Sequence, residues 1–465
     1  MRQALKIPFF LLALLAGLTA LTRAQDKPNL ILILADDLGW HQLGCYGSDF
    51  YETPVLDRMA AEGMRFTNAY AAAPVCSPTR GSIMTGKYPA RTHLTVNIPT
   101  GRNLDRPTVT PEFAESLPLD EVTVAEALKT AGYTTGHFGK WHLNRDKDYA
   151  PDRPGDPASQ GFDVVLTTHK LDEGPPSPYE NDWQHVHQIT EAAIAFIEEN
   201  QDRPFFAYVS HNSIHRPEKE KDTLIAKYRA KPGADNDVEY GHNNPVQAAM
   251  LEVLDASVGR ILDRLGELGL AKNTLVVFFS DNGHLGPKDG FPLKGSKADL
   301  YEGGIRLPLI VRQPGTVPAG TTRDTLVISN DFFPTFCRLA GVNTLPSGID
   351  GMDISDLLRG SETGPARDTL FFHFPHYHAL GVGPQSALRE ENLKLIENTE
   401  ARLLGLPDAF ELYDLAADPA ERHNLAGEQP GTVGRLRDKL ELWKKAVGAQ
   451  EMTRPEQPGS GGQTR

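Results

Sequence analysis

The run Cys76-Ser77-Pro78-Thr79-Arg80-Gly81-Ser82 sets a cysteine two residues before a proline and four before an arginine. In that setting the cysteine can be the precursor of an aldehyde nucleophile and not a working thiol. Such a run matches by chance in about a few per cent of chains this long, and a lone cysteine is most often a small buried residue. Its weight comes from three further clusters of matching chemistry: Asp36-Asp37, Lys140-Trp141-His142, and Asp281-Asn282 with Lys297 downstream.

Asp36, Asp37, Asp281 and Asn282 are hard oxygen donors, suited to Ca2+ or Mg2+ and not to a thiolate-seeking metal. Either pair alone reads more readily as a helix cap or turn filler. Together, beside the Cys76 run, they read as a metal site. Arg80 lies one helical turn after Cys76, so its guanidinium can reach back to the nucleophile. Lys140 and His142 alternate, and an extended segment would turn both to one side. His215 and Lys297 add two cationic candidates, although a single histidine or lysine in such a place is usually structural or solvated. In the run 373–378, His376 and His378 with Tyr377 between them could face the mouth of a site and hold a sugar, with an ordinary turn as the even alternative. His185 and His187 lack a completing acid or cysteine and read as a surface loop.

The elements that must carry these residues are legible. Residues 30–35 and 274–279 are continuous apolar runs ending in Asp36-Asp37 and Ser280-Asp281-Asn282. That is the pattern of parallel strands buried on both faces, with functional residues at their carboxyl ends. Residues 205–210 and 307–311 are two more candidate strands, and Pro308 marks the start or an edge of the second. Thr123-Val124-Ala125-Glu126 is a capping box, and Asn244-Pro245 opens a long helix with Met250, Leu254, Val258, Ile261, Leu265 and Leu268 on one face. The alternation predicts an α/β fold with a large, mostly parallel sheet sandwiched by helices. After about residue 365, short runs and a helix near 433–446 predict a smaller C-terminal antiparallel sheet with a packed helix. The predicted division is a signal peptide over 1–24, a catalytic domain over 25–364, an α+β subdomain over 365–449 and a disordered tail over 450–465.

The signal reading rests on Arg2 and Lys6, an apolar stretch over 7–21 too short to span a bilayer, and small residues near Ala24. It implies a periplasmic or secreted protein with no membrane anchor. Removing Arg2, Lys6 and Arg23 with that segment takes the formal net charge from −14 to −17. Such a surface argues against nucleic acid as a partner and requires a local cationic pocket for any anionic substrate. Three cysteines cannot form a disulfide framework, so Cys45 and Cys337 are expected free or buried.

The chain resembles the formylglycine-dependent sulfatases, a branch of the alkaline phosphatase superfamily. The resemblance runs through Cys76–Gly81 to Thr85-Gly86, Gly132-Tyr133-Thr134-Thr135 to Gly139-Lys140-Trp141-His142, and Ser280-Asp281-Asn282-Gly283. It continues in Tyr301-Glu302-Gly303-Gly304-Ile305-Arg306 and Glu411-Leu412-Tyr413-Asp414-Leu415. It implies that a maturation enzyme oxidises Cys76 to Cα-formylglycine and that Asp36, Asp37, Asp281 and Asn282, with the modified Cys76, hold a divalent cation, usually calcium, with magnesium as the alternative. Arg80, Lys140, His142, His215 and Lys297 match the family's charged pocket. Thr79 stands where many relatives carry serine or alanine.

The expected reaction is hydrolysis of a sulfate ester on a carbohydrate or aryl group. One hydroxyl of the hydrated aldehyde attacks sulfur, the metal with Lys140, Lys297 and Arg80 stabilises the sulfuryl oxygens, and His215 protonates the leaving alcohol. The second hydroxyl then loses its proton to His142 as sulfate departs. The acidic surface favours a sulfated small molecule or short oligosaccharide over a long polyanion. The alternatives are a phosphodiesterase or phosphonate monoester hydrolase with the same nucleophile, and a catalytically silent carbohydrate-binding relative.

Overall fold

The structure, a computed structural model, describes residues 27–98, 106–145, 148–169, 174–238, 241–289 and 292–455. The signal segment expected over 1–24 lies outside them.

Strands β1 (Asn29–Ala35), β2 (Met64–Tyr70), β3 (Thr134–Gly139), β4 (Val164–Thr167), β5 (Phe205–Ser210), β6 (Thr274–Ser280), β7 (Arg306–Arg312), β8 (Thr321–Arg323) and β9 (Val327–Ile328) form one sheet. Its order is β4-β3-β5-β1-β6-β7-β2-β8, with β9 also paired to β2. The first five strands in that order run parallel; β7 alone is reversed, antiparallel to both β6 and β2. Strand β1 shows why these strands read as unbroken apolar runs. Leu30, Leu32 and Leu34 enter the core on one face, while Ile31, Ile33 and Ala35 enter the core on the other. Side chains alternate across a strand, so a sheet covered on both faces needs apolar residues at every position. The helices Val124–Thr130 and Phe332–Ala340 cover the first face, and Val186–Glu199 and Pro245–Glu267 the second.

The expected helix starts are present. Thr123 and Glu126 form the reciprocal capping box. Asn244 Oδ1 accepts from the backbone N–H groups of Val246 and Gln247 at 2.8 and 3.2 Å. Asn244→Ala removes that cap and is expected to lower unfolding free energy by about 1 kcal/mol; urea denaturation at neutral pH checks it, and an unchanged midpoint would show that the helix does not depend on its cap.

Strands β10 (Thr369–Phe374), β11 (Gln385–Glu390), β12 (Leu393–Asn398) and β13 (Phe410–Asp414) form the smaller antiparallel sheet, in sequence order. Leu436 and Leu440 of the helix Pro430–Val447 pack on Leu388, Leu395 and Leu412 of that sheet. A further apolar cluster joins it to the large sheet, bringing Leu370, Phe372 and Ile396 against Tyr70, Leu300 and Ile305.

Three expectations are corrected. Pro308 lies at neither a strand start nor an edge: β7 is an interior strand, and the proline falls where its register with β2 shifts between Phe66 and Ala69. A bulge tolerates a residue without an N–H donor. His185 and His187 are not in a surface loop; His185 is the buried N-cap of the helix Val186–Glu199, and His187 lies in its first turn. Of the tail expected to be disordered over 450–465, residues 450–455 are described and make contacts, while the rest lies outside the described residues. The Gln450 carbonyl meets His373 Nε2 at 2.8 Å, Met452 is buried, and Thr453 pairs with Val109. Glu451 adds ion pairs to Lys444 and Arg402, and Arg454 Nε donates to the Leu403 carbonyl at 2.6 Å, so tertiary contacts hold a stretch whose composition argued for disorder.

Candidate active site

Four neighbouring parallel strands, β3, β5, β1 and β6, end on one rim. Their register sets Gly139 beside Ser210, Leu34 beside Ser210, and Ala35 beside Ser280. The next residues are therefore Lys140, Asp36-Asp37 and Asp281-Asn282, all buried. Two backbone features fix them. Gly139 has φ +113, and a Cβ there would lie 1.9 Å from the Ser210 carbonyl oxygen, so only glycine lets the Lys140 N–H reach that oxygen at 2.8 Å. Asp37 adopts φ +62, a conformation uncommon outside glycine, asparagine and aspartate, and its N–H donates to Asp281 Oδ1 at 3.2 Å.

Cys76 opens the helix Cys76–Thr85 against this rim. Its Sγ lies 3.4 Å from Asp36 Oδ1 and 3.9 Å from Asp37 Oδ1. Lys297 Nζ donates to Cys76 Sγ at 3.4 Å and to both Asp37 oxygens at 2.6 and 2.8 Å. Lys140 Nζ donates to Asp36 Oδ2 at 2.5 Å, and His215 Nε2 is 3.7 Å from Asp37 Oδ2. Cys76, Lys140, His142, His215 and Lys297 line one cavity of ≈ 170 Å3, closed further by Asn97, Tyr149, Thr168 and Asn212.

Arg80 is buried but does not turn back on the nucleophile as expected. Its Nε and Nη2 meet Asp281 Oδ2 at 2.9 and 2.7 Å, and Nη1 donates to the Lys140 carbonyl and to Ser210 Oγ. The carboxylate at the end of β6 is the stronger acceptor, and it captures the guanidinium. His142 reaches the cavity by a different route from strand alternation. It has φ +57, beyond the end of β3, and its Nε2 meets the Ile98 carbonyl oxygen. Because a carbonyl only accepts, Nε2 carries the proton and Nδ1 is the basic nitrogen.

Burial and the carboxylates of Asp281 and Asp36 push the Cys76 thiol well above its ordinary range. Reactive thiolates need the opposite surroundings. Burial works to raise Asp36, but Lys140, His215 and Arg80 outweigh it and hold it at about 2. Burial, seconded by the Lys297 ammonium, lowers His215 to about 4.

Among the described residues, Asp36, Asp37, Cys76 and His215 bring ligand atoms within 4.8 Å of one another. Asp281 and Asn282 adjoin this group through Asp37: Asn282 Nδ2 donates to Asp37 Oδ1 at 2.7 Å. Asn282 Oδ1 is buried with no hydrogen-bond partner. An orphaned amide oxygen beside three carboxylates is the donor set a hard divalent cation takes. His215, expected only as an acid, joins this cluster; no local pattern in the sequence signals that the segment after β5 folds back to Asp37. Ser210 was also missed, although its place at a strand end next to Lys140 is the same signal that revealed Asp36 and Asp281.

The two substrate candidates separate. His376 is buried with its Nε2 on Thr95 Oγ1 at 2.8 Å and its ring edge-on to Phe113, so it does not face the mouth. His378 is half-buried, its Nδ1 accepts from the Leu380 N–H at 3.2 Å, and its ring lies against Phe374; it is not among the residues that line the cavity.

Buried neutral histidines set an acid limit. Burial lowers His376 to about 3, and burial with Lys444 nearby lowers His373 to about 4. Below the unfolded value near 6.5 the unfolded chain takes up protons that the folded chain refuses, so stability is lost as pH falls from about 6.5 toward 4. Each group is expected to contribute about 1 kcal/mol per pH unit in that window. Urea midpoints at pH 7, 6 and 5 check this; a flat profile that His373→Gln leaves unchanged would contradict it.

A large mixed sheet with acids at its carboxyl rim, a helix starting at Cys76 and a small antiparallel sheet beside it define an alkaline-phosphatase-superfamily hydrolase. The chain belongs to the sulfatase family, whose model matches residues 28–342, and the N-sulphoglucosamine sulphohydrolase C-terminal family matches residues 296–445. It is accordingly an enzyme, a sulfatase. Human arylsulfatase A is 32% identical, with 97% of this chain and 93% of the relative covered. Pig N-acetylgalactosamine-6-sulfatase is 36% identical over 74% and 68%. Among solved structures, Ps i-CgsB in complex with k-i-k-neocarrahexaose superposes with a TM-score of 0.73 at 27% identity, covering 90% of this chain and 93% of that one. A phosphonate monoester hydrolase of Agrobacterium radiobacter shares the fold at 22% identity and a TM-score of 0.68, over 91% and 96%.

Proposed function

We propose that the enzyme removes sulfate from a sulfated carbohydrate, using formylglycine made from Cys76 and a calcium ion held by Asp36, Asp37, Asp281 and Asn282 beside residue 76. The observation that carries this reading is the position of Cys76. It stands between an acid pair and the Lys297 ammonium, at the carboxyl rim of the sheet, where an oxygen on residue 76 would meet both the cation's carboxylate ligands and a positive charge. The aldehyde, once hydrated, supplies two hydroxyls on one carbon, one to attack and one to expel the product. The cation supplies Lewis acidity toward an attacking oxygen and a sulfuryl oxygen. Mg2+ would fill the same donor set.

The remaining roles belong to the chain. Lys140 and Lys297 face the cavity and stabilise charge on the sulfuryl oxygens. Arg80 acts one step back, locking Asp281 and the Lys140 carbonyl in place. His142, with its proton fixed on Nε2, offers Nδ1 as the base, and His215, recharged when the negative sulfate enters beside it, protonates the leaving alcohol. His378, half-buried where His376 is fully enclosed, is the candidate of the two that a sugar can still reach. The names of the pig relative and of the carrahexaose complex support a sulfated sugar as the substrate class. The reading includes a formylglycine-generating maturation enzyme as partner and export to the periplasm or medium. No described helix is long and apolar enough to cross a membrane. It also divides the chain near residue 365 into a catalytic part and an α+β part.

Paired rates on an aryl sulfate and an aryl phosphate test the reaction class. A phosphate monoester carries up to one more negative charge, and a sulfate-selective pocket is expected to favour the sulfate by about 100-fold in kcat/KM. A preference for phosphate or phosphonate esters would move the assignment to that branch.

A further inference from the structure

The small sheet reaches the active site through a buried charge network. Lys394 of β12 is fully buried, and its Nζ meets Glu302 Oε1 and Glu421 Oε1, each at 2.9 Å. Glu302 Oε2 accepts from Tyr70 Oη at 2.6 Å, and the Glu302 backbone N–H donates to Glu421 Oε2 at 2.7 Å. Arg389 of β11 closes the network on Tyr70 Oη. Although burial opposes it, Lys394, Arg389 and Arg306 hold Glu302 at about 2, so it stays ionised. Charges taken out of water must be paired, and apolar residues would pack this junction without them.

Glu302 opens the one-turn helix Glu302–Ile305, which touches both halves of the site. The Gly303 N–H donates to the Lys294 carbonyl at 2.7 Å, bracing the stretch that carries Lys297. The Gly304 carbonyl accepts from the Gly283 N–H at 2.9 Å, immediately after Asn282. There is no slack in this contact: a Cβ on Gly283 would lie 1.9 Å from the Gly303 carbonyl oxygen. A displacement of Glu302 is therefore passed on to Asn282 and Lys297.

We propose that Lys394 and Glu421, on the C-terminal part, are positioning residues of the active site that act through Glu302. The small sheet thus sets where the last oxygen donor and the sulfuryl-facing ammonium stand. This rests on the reading of Asn282 and Lys297 given above.

The test is the double variant Lys394→Met/Glu421→Gln, which removes the buried cation together with the carboxyl that burial and Glu302 push up to about 7, made in the full chain co-expressed with a formylglycine-generating enzyme. Two quantities are read beside urea stability: kcat/KM on an aryl sulfate, and the calcium chloride concentration giving half-maximal thermal stabilisation. The expected result is a folded variant with both quantities worse by about tenfold or more. A folded variant with wild-type values for both overturns the inference. Should the double variant not fold, Lys394→Arg, which keeps the charge and changes its reach, takes its place: the same two losses support the positioning role, and wild-type values for both overturn it. Wild-type protein without any calcium response would sink the reading of the site; a responding wild type matched by its variant would sink only the positioning role.

Discussion

Cys76→Ser is expected to leave a folded protein whose turnover falls by about 10^3-fold or more. A serine hydroxyl can stand where the first hydroxyl of the aldehyde hydrate would, between Asp36 and Lys297, and can attack sulfur in the same way. It has no second oxygen on the same carbon, so nothing expels sulfate by re-forming a carbonyl. The variant should accumulate as a covalent sulfate ester on residue 76, detectable as a peptide heavier by one sulfuryl group. Steady-state rates and peptide mass after a single addition of aryl sulfate check both halves. Wild-type turnover by the serine variant would remove the need for an aldehyde altogether.

Arg80→Met is expected to cost about 3–5 kcal/mol of stability in the metal-free protein, because it breaks a fully buried pair and leaves Asp281 without its guanidinium partner. The same change strips donors from the Lys140 carbonyl and Ser210 Oγ, so the ends of β3, β5 and β6 lose their common tie. Arg80→Lys should recover little of this, since one ammonium cannot serve three acceptors in the fork arrangement that the guanidinium spans. Urea unfolding of both variants provides the measurement, and a loss below about 1 kcal/mol for Arg80→Met would mean the pair is not a fixed strut.

The rim was legible because strands buried on both faces leave an unmistakable apolar run, and the acids that end β1 and β6 stand out against it. Helix starts at Thr123 and Asn244 were legible for a local reason as well: caps are read within four residues. What stayed hidden was contact between distant segments. Nothing in the spacing of Arg80 says that Asp281 will hold it, or that the residue after Trp141 turns left-handed and sends His142 to Ile98. The histidines of 373–378 look alike in sequence, yet packing against Thr95 and Phe113 buries His376 while His378 stays half-exposed. Lys394 and Glu421 look like surface charges in a short strand and a loop, and only the meeting of two sheets makes them an interior pair.

Peptide mass spectrometry across Cys76, on protein co-expressed with a formylglycine-generating enzyme and assayed in parallel on an aryl sulfate with calcium, tests the central claim most directly. The account predicts a loss of about 18 Da at that residue together with turnover that follows the modified fraction. An unmodified thiol in protein that nonetheless hydrolyses the sulfate would contradict it.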